Sequence, residues 1–257
     1  MNTVAITVIT RGRTRDYGYL GAAVEEWWAG PTARLNLNES EVLVVRDGDA
    51  VRALLSGIPA NRRDSKTRDI RVTLAIDGLE GEPELARRLV SACLAEESRA
   101  ELGAVVDRVV TEEVVDELLG AEDGDVGASL LAELLEWRHD PVAPAGARDD
   151  SWVGPVAEGA GPFMARLDEV LDGRPGVLVA THAFASLERS RTVAEELAAD
   201  TALLLHRTAL REVVPLGKAE APERTPTSPK LLVALAAAIV LALVWLVVQW
   251  LGRFGST

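Results

Sequence analysis

A histidine, a serine and a glutamate stand close together after an apolar segment. His182, Ser186 and Glu188 follow Gly176–Thr181, which the sequence predicts to be a buried strand. Ligands bind beyond the carboxyl ends of strands in α/β sheets, and histidine is the natural acid–base near neutral pH. With Asp77 at the end of an earlier predicted strand, these residues are candidates for a hydrolytic site. The structural alternative is that Ser186 caps a helix, with Glu188 favourable in its first turn.

Five cations within ten residues form a second candidate site. Guanidinium groups grip phosphate bidentately, so this arginine cluster favours a nucleotide or a phosphorylated messenger as ligand. Aspartates interrupt the cluster, which equally suits a solvated loop whose charges pair with one another. The cluster consists of Arg62, Arg63, Lys66, Arg68 and Arg71, and the end of the first predicted strand adds Arg11, Arg13 and Arg15.

Metal ligands and phosphate-binding fingerprints are scarce. The chain has one cysteine and three histidines, and their spacing matches no zinc motif. Neither the P-loop pattern nor the G-x-G-x-x-G pattern occurs. We therefore expect no metal and no cofactor. Trp27 and Trp28, with Tyr17 and Tyr19 nearby, fit either an aromatic pocket or the more usual place of such side chains in a core.

The last part of the sequence contains a strongly apolar segment. Leu231–Leu251 comprises 21 residues without a charge. An α-helix of that length spans about 31 Å, close to the thickness of the hydrocarbon core of a bilayer. Lys230 and Arg253 flank the segment, where long cationic side chains reach the headgroups. The sequence therefore predicts one transmembrane helix over residues 230–252 and a short tail over residues 253–257.

One face of this predicted helix carries small side chains at a spacing of four residues. Small residues let two helices approach closely, and a glutamine can hydrogen-bond across the contact. The face is therefore a candidate for self-association in the membrane. The alternative is that alanine is simply common here and that the glutamine faces the headgroups. The face consists of Ala234, Ala238, Ala242, Trp245 and Gln249.

The flanking sequence predicts the orientation of this helix. The opening MNTVAITVITRGR has no basic region before an apolar stretch, so it is not typical of a signal peptide. More Lys and Arg precede the helix than follow it, which favours a cytosolic domain. The single Cys93 fits a reducing compartment. We expect a tail-anchored, single-pass protein of the inner membrane, with a cytosolic domain over residues 1–217 and a Pro-rich tether over residues 218–229.

The net charge of −13 is concentrated in the middle of the chain, where residues 80–140 carry 5 Lys/Arg against 17 Asp/Glu. An acidic block argues against nucleic-acid binding and against lying flat on anionic lipid. The expected partners are the lipid bilayer, further copies of the chain and a protein in the cytosol. A small cytosolic domain on one membrane helix resembles the build of bacterial membrane effectors and sensors, which is an architectural analogy.

Residues 1–79 have the patterns of a β-rich region. Apolar and polar residues alternate in several segments, and Asp47–Asp49 suits the turn of a hairpin. Tyr17–Pro31 fits either a strand with a turn or a short helix. The predicted strands are Val4–Thr10, Glu41–Arg46, Ala50–Leu55 and Asp69–Asp77.

Residues 80–140 have helical periodicity. Pro83 suits a first helical position, Ser98–Glu101 has the pattern of a capping box, and Thr111 begins a further helix that Gly120 ends. Consecutive helices of this kind favour a layer packed on the preceding sheet. His139–Pro162 shows little periodicity and is predicted to be a loop or lid.

Residues 141–217 alternate between helix and strand patterns and predict a βαβ-like unit. The predicted elements are a helix at Phe163–Leu171, a strand at Gly176–Thr181, a helix at Leu187–Ala199 and strands at Thr201–Arg207 and Leu210–Pro215. The fold class is therefore α/β, with α+β as the alternative. A β-rich part, an acidic helical layer, the βαβ-like unit and the transmembrane helix follow one another along the chain.

No motif specifies a function. The leading hypothesis is a non-enzymatic sensor or effector of signalling or defence type, whose cytosolic domain binds a partner or small ligand and which oligomerises through its membrane helix. The alternative is a membrane-tethered hydrolase acting near His182. A deep pocket that joined His182 to the arginine cluster would favour the hydrolase.

Overall fold

The computed structural model describes residues 3–21, 26–28, 39–121, 123–182, 186–204 and 210–216. All of these belong to the compact unit Met1–Gly217. The predicted tether, transmembrane helix and helix-contact face lie outside the described residues. None of the helices in the described part of the chain combines the length and the apolar character needed to span a bilayer.

The described residues form a mixed α/β architecture built on one large sheet. Its strands are β1 (Ala5–Arg11), β2 (Tyr17–Tyr19), β3 (Glu41–Asp47), β4 (Ala50–Arg63), β5 (Asp69–Asp77), β6 (Trp152–Pro155), β7 (Gly176–Thr181), β8 (Thr201–Leu204) and β9 (Val214–Pro215). The strand order is β2-β1-β5-β4-β3-β7-β8-β6-β9. The β7–β8 and β6–β8 pairs are parallel and the others are antiparallel. The β3–β7 pair therefore joins the N-terminal β-rich part and the C-terminal unit into a single sheet.

The predicted hairpin is present, but its second strand is longer than predicted. β3 and β4 meet at a two-residue turn in which Gly48 has a φ of +59°. The prediction that the second strand ends at Leu55 is wrong, because β4 continues to Arg63 through a shift of register at Ser56–Gly57. Gly57 has a φ of +69°. A glycine inside a strand is typical of such a bulge.

Six helices accompany the sheet in the described residues, namely α1 (Pro83–Ala92), α2 (Glu96–Val109), α3 (Glu112–Leu118), α4 (Val126–Glu136), α5 (Val156–Leu171) and α6 (Leu187–Leu197). Pro83 occupies the first helical position and Thr111 caps α3, as predicted. The predicted capping box is wrong. α2 begins at Glu96, so Ser98 lies inside the helix instead of capping it.

The segment predicted to be a loop contains regular structure. Strand β6 and the first turns of α5 both lie within His139–Pro162, and Pro162 is inside the helix. Trp152 is fully buried. The backbone of β6 finds its partners in β8 and β9, which are distant in sequence. Local periodicity carries no sign of such pairing, which is why the sequence did not reveal this strand.

Helices cover both faces of the sheet. Apolar residues of α1–α5 pack on one face and form the main core with alternate residues of the strands, which confirms the predicted helical layer. α6 packs on the opposite face near Val153 and Val179. The parallel β7–β8 pair with α6 between its strands is the predicted βαβ unit. Residues 205–209 lie outside the described residues, and the final predicted strand is reduced to β9.

Candidate functional site

A cavity of about 450 Å³ lies at the edge of the sheet where β7 ends and β3 begins. The start of β5, the middle of β4 and the corner between α1 and α2 complete its walls. Its volume is in the range of small-ligand sites. The lining residues are Glu39, Ser40, Pro59, Ala60, Asp69, Arg71, Cys93, Leu94, Ala95, Glu96, Arg99, Ala100 and His182.

The bulge in β4 positions Glu39, which forms one lip of this cavity. The Ser56 hydroxyl donates a hydrogen bond to the Glu39 carbonyl oxygen at 2.9 Å. A Cβ at Gly57 would lie 2.5 Å from the same oxygen, so only glycine permits this close approach. The Arg71 guanidinium donates to the Gly57 carbonyl oxygen at 3.4 Å. The bulge therefore holds both the lip and one of the cationic side chains of the cavity.

Arg99 is the most deeply buried cation of the cavity. Its side chain belongs to the first turn of α2 and the residue is 4% exposed. One terminal nitrogen donates to the Cys93 carbonyl oxygen, while Nε is buried and has no hydrogen-bond partner among the described residues. Burial lowers the pKa of Arg99. Cys93 and, to a smaller extent, the fully buried Glu41 oppose this, and the charge of Arg71 lowers the pKa further. A buried guanidinium with an unsatisfied donor is costly unless an acceptor meets it.

Helix α2 is held close to the sheet at Gly103, one turn beyond Arg99. A Cβ at Gly103 would lie 2.2 Å from the Pro59 carbonyl oxygen. This close packing fixes the start of α2, and with it the guanidinium of Arg99, against β4.

His182 lies at the rim of the cavity, immediately after β7. Its Nδ1 is 3.1 Å from the Ser40 carbonyl oxygen. Because a carbonyl oxygen only accepts hydrogen bonds, Nδ1 carries a proton in this contact.

Cys93 forms part of the cavity wall as a protonated thiol. It is fully buried, and this burial raises the pKa of the thiol despite the opposing effect of Arg99. The thiolate is the nucleophilic form of cysteine. Cys93 is therefore unsuited to nucleophilic chemistry in this state.

The structure does not bring the predicted acid–base group together. Asp77 ends β5 and pairs with Arg52 at 2.8 Å. Arg71 near the beginning of the same strand lines the cavity, and the six residue steps from Arg71 to Asp77 correspond to about 20 Å of strand. Ser186 caps α6 by accepting a hydrogen bond from the Arg189 N–H, and Glu188 is exposed in its first turn. Of this group only His182 lies at the cavity.

Of the arginine cluster, too, only one member lies at the cavity. Arg71 lines the cavity, whereas the other members do not. Arg68 binds Asp64 at 2.7 Å, and the exposed Arg63 lies 3.1 Å from Asp69. Arg62 donates to Thr10 and burial lowers its pKa, while the backbone N–H of Lys66 donates to Asp64.

The three arginines after the first strand are likewise engaged within the domain. Arg11 lies 3.5 Å from Asp64, Arg13 lies 4.0 Å from Glu112, and Arg15 donates to backbone carbonyls near the end of α3.

The aromatic residues singled out in the sequence lie away from the cavity. Trp28 is 3% exposed and packs on the face of the sheet that carries α6. Trp27 meets it edge to face, with ring centroids 5.4 Å apart. Tyr19 packs against the same group. Tyr17 is exposed and lies beneath the guanidinium of Arg11. These contacts support the core assignment for both tryptophans.

Sequence reasoning missed Arg99 and Glu41. Arg99 precedes Leu102, Val106 and Val110 on the apolar stripe of α2, and Glu41 opens an otherwise apolar strand. The sequence signal for both residues was a charged side chain on an apolar face, because a charged side chain is buried only when it has a partner.

Comparison of the chain with protein-family models, with curated proteins and with solved structures gives no match. Within the described residues, no group of three His, Cys, Asp or Glu side chains is placed to hold a metal ion. The cavity is therefore the feature of the molecule that points to a function.

Proposed function

We propose that this chain is a ligand-binding protein whose cavity takes the anionic group of a small molecule, a carboxylate or a phosphate. The observation that supports this is that Arg99, a cation only 4% exposed, and Arg71 both line one cavity of about 450 Å³. Arg71 supplies a second guanidinium to the same cavity. Charge-assisted hydrogen bonds from guanidinium groups are the usual means of recognising such anions.

Binding is better supported than hydrolysis. The cavity does join His182 to one member of the arginine cluster, which is the arrangement that would favour an enzyme. The partners of a hydrolytic His182 are nevertheless engaged elsewhere, since Ser186 caps a helix and Asp77 lies at the far end of β5. A hydrolase at His182 remains the alternative proposal, and turnover of phosphate esters or carboxylate esters that is lost in His182→Ala would favour it.

The second part of the proposal is that the membrane helix couples this ligand site to the bilayer, as in a sensor or effector of signalling or defence type. The length and the apolar character of Leu231–Leu251 support it. The test is fractionation of cells that express the full chain. We expect the protein in the membrane fraction after alkaline carbonate extraction, and release into the supernatant when residues 230–257 are deleted.

Self-association is tested by cross-linking the same membranes. Ala238→Leu with Gln249→Leu should abolish cross-linked dimers, because the bulky side chains prevent close helix approach. Ala237→Leu, one residue away from the contact face, is the matched control. Dimers that persist in the double variant would contradict the proposed face.

The ligand site is tested by calorimetric titration of full-length protein in detergent with phosphate and with small monocarboxylates. We expect binding that Arg99→Lys weakens at least tenfold, because lysine retains the charge but lacks the planar fork. Arg71→Gln should weaken binding as well. Arg68→Gln is the matched control, since Arg68 belongs to the same sequence cluster but does not line the cavity. Equal affinity of wild type and Arg99→Lys, or no binding of any anion, would contradict the proposal.

A further inference from the structure

We propose that the ligand of this cavity is a small zwitterion of the amino-acid type, whose carboxylate binds at Arg99 and Arg71 and whose ammonium group binds at the acidic rim. This inference rests on the proposed anion-binding function and adds the second charge of the ligand.

The deep part of the cavity is positive. Arg99 and Arg71 both reach it, and the fully buried Glu41 provides one negative charge near Arg99. Two guanidinium groups against one carboxylate leave an excess of one positive charge. An incoming carboxylate would balance that excess and accept charge-assisted hydrogen bonds from the guanidinium groups.

The rim of the same cavity is negative. Glu39 lies on the lip that the β4 bulge positions, and Glu96 lines the cavity at the start of α2. Both are exposed, and among the described residues neither forms an ion pair with a cation. Asp69 also lines the rim, but Arg63 already pairs with it at 3.1 Å. Two carboxylates at the mouth attract an ammonium group and disfavour a ligand with negative charge at both ends.

The size of the cavity restricts the ligand further. A volume of about 450 Å³ corresponds to a space roughly 10 Å across, which is filled by an amino acid with a side chain or by a dipeptide. Leu94 and Pro59 add apolar side chains to the cavity wall. A molecule with opposite charges separated by a short apolar body matches a lining that combines buried cations, apolar side chains and exposed carboxylates.

The experiment compares matched probes on the full-length protein in detergent. The twenty free L-amino acids are screened by thermal shift, and each one that stabilises the protein is titrated by calorimetry. The same amino acid is then titrated as its N-acetyl derivative, which lacks the cation, and as its methyl ester, which lacks the anion. We expect both derivatives to bind at least tenfold more weakly than the free amino acid.

Charge variants locate the ammonium group. Glu39→Gln with Glu96→Gln should weaken binding of the free amino acid about tenfold and leave binding of the N-acetyl derivative unchanged. Glu97→Gln is the matched control, because Glu97 is exposed in the same helical turn but does not line the cavity. All three side chains are exposed, so folding of the variants is verified by circular dichroism before titration.

The outcomes separate this inference from the proposed function. If the N-acetyl derivative binds as tightly as the free amino acid, the zwitterion is wrong and the anion site stands. The same conclusion follows if phosphate binds and no amino acid does. If neither amino acids nor phosphate nor simple carboxylates bind, both proposals fail.

Discussion

Arg99 and Cys93 show how a single side chain receives its chemistry from its surroundings. An exposed arginine on a helix would be an ordinary solvated cation, and an exposed cysteine would ionise readily. Here the corner between α1 and α2 buries both of them, and the same burial lowers the pKa of the guanidinium and raises that of the thiol. The result is a cation that needs an acceptor and a thiol that stays protonated.

The reactivity of the Cys93 thiol measures this burial directly. In the native protein at pH 8 we expect Ellman's reagent to leave Cys93 unmodified, because the thiol is fully buried and its pKa is raised. In 6 M guanidinium chloride one thiol per chain should react, since the chain has a single cysteine. Reaction of the native protein at the rate of a free thiol would contradict the described corner.

Asp64 provides a prediction about pH. Its carboxylate accepts hydrogen bonds from the Arg68 and Lys66 N–H groups and from the Arg68 side chain, which lowers its pKa to about 2. A lowered folded-state pKa stabilises the protein above the usual aspartate range, and that stability is lost as the pH falls from about 4 to about 2.

We therefore expect Asp64→Asn to lower the urea midpoint at pH 7 and the difference from wild type to shrink toward pH 2. Asp69→Asn is the control, since its pair with Arg63 is exposed and contributes little. A difference that is independent of pH would show that the charge of Asp64 is not responsible.

Among the elements, α2 matters most for the site because it carries Arg99 and Glu96. Its distance from the sheet is set by the absence of a side chain at Gly103, which meets the backbone of Pro59. β4 reaches Pro59 only because the bulge at Gly57 lets the strand continue past Leu55. A glycine in the strand and a glycine in the helix therefore determine the shape of the cavity together.

Gly103→Ala tests this packing. Alanine is the better helix former by about 1 kcal/mol, so an exposed site would be stabilised. At Gly103 we expect destabilisation of about 1–3 kcal/mol instead, because the added methyl group overlaps a backbone oxygen. Ala104→Gly, at the exposed next position of the same helix, is the control and should cost about 1 kcal/mol from propensity alone. Urea denaturation measures both, and a stabilised Gly103→Ala protein would contradict the close approach.

At the scale of the whole domain, the β3–β7 pair connects parts of the chain that the sequence presents as separate regions. Six residue pairs join the two strands. The helices α1–α5 then pack across strands from both regions in one core. The described part of residues 3–216 therefore has the contacts of one cooperative unit. The sequence patterns of the same residues suggest three separate regions.

Cooperativity across this sheet is measurable with Cys93 as a probe. Leu178→Ala removes a fully buried side chain of β7 and should cost about 2–5 kcal/mol. We expect the urea midpoint to fall equally when unfolding is followed by circular dichroism and by labelling of Cys93, which lies in the helical layer. A lower midpoint by circular dichroism alone would show that the C-terminal unit unfolds by itself.

The sequence alone determined the elements whose signals are local. Alternation predicted β1 and β5, the Asp-Gly turn of a hairpin predicted β3, and a short apolar run predicted β7. Helical periodicity predicted α1 to α4, and Pro83 and Thr111 marked where two helices begin. The apolar run that predicts a membrane helix is a signal of the same kind and stays a prediction. Tertiary structure decided what depends on distant partners, namely the pairing of β6 with β8, the antiparallel β3–β7 pair and the length of β4. It also decided the candidate site, because His182 and Arg71 line the cavity whereas Asp77 and Ser186 do not. The physical reason is that residue type and spacing act over a few residues, whereas burial and the pairing of charges depend on which segments the sheet brings together.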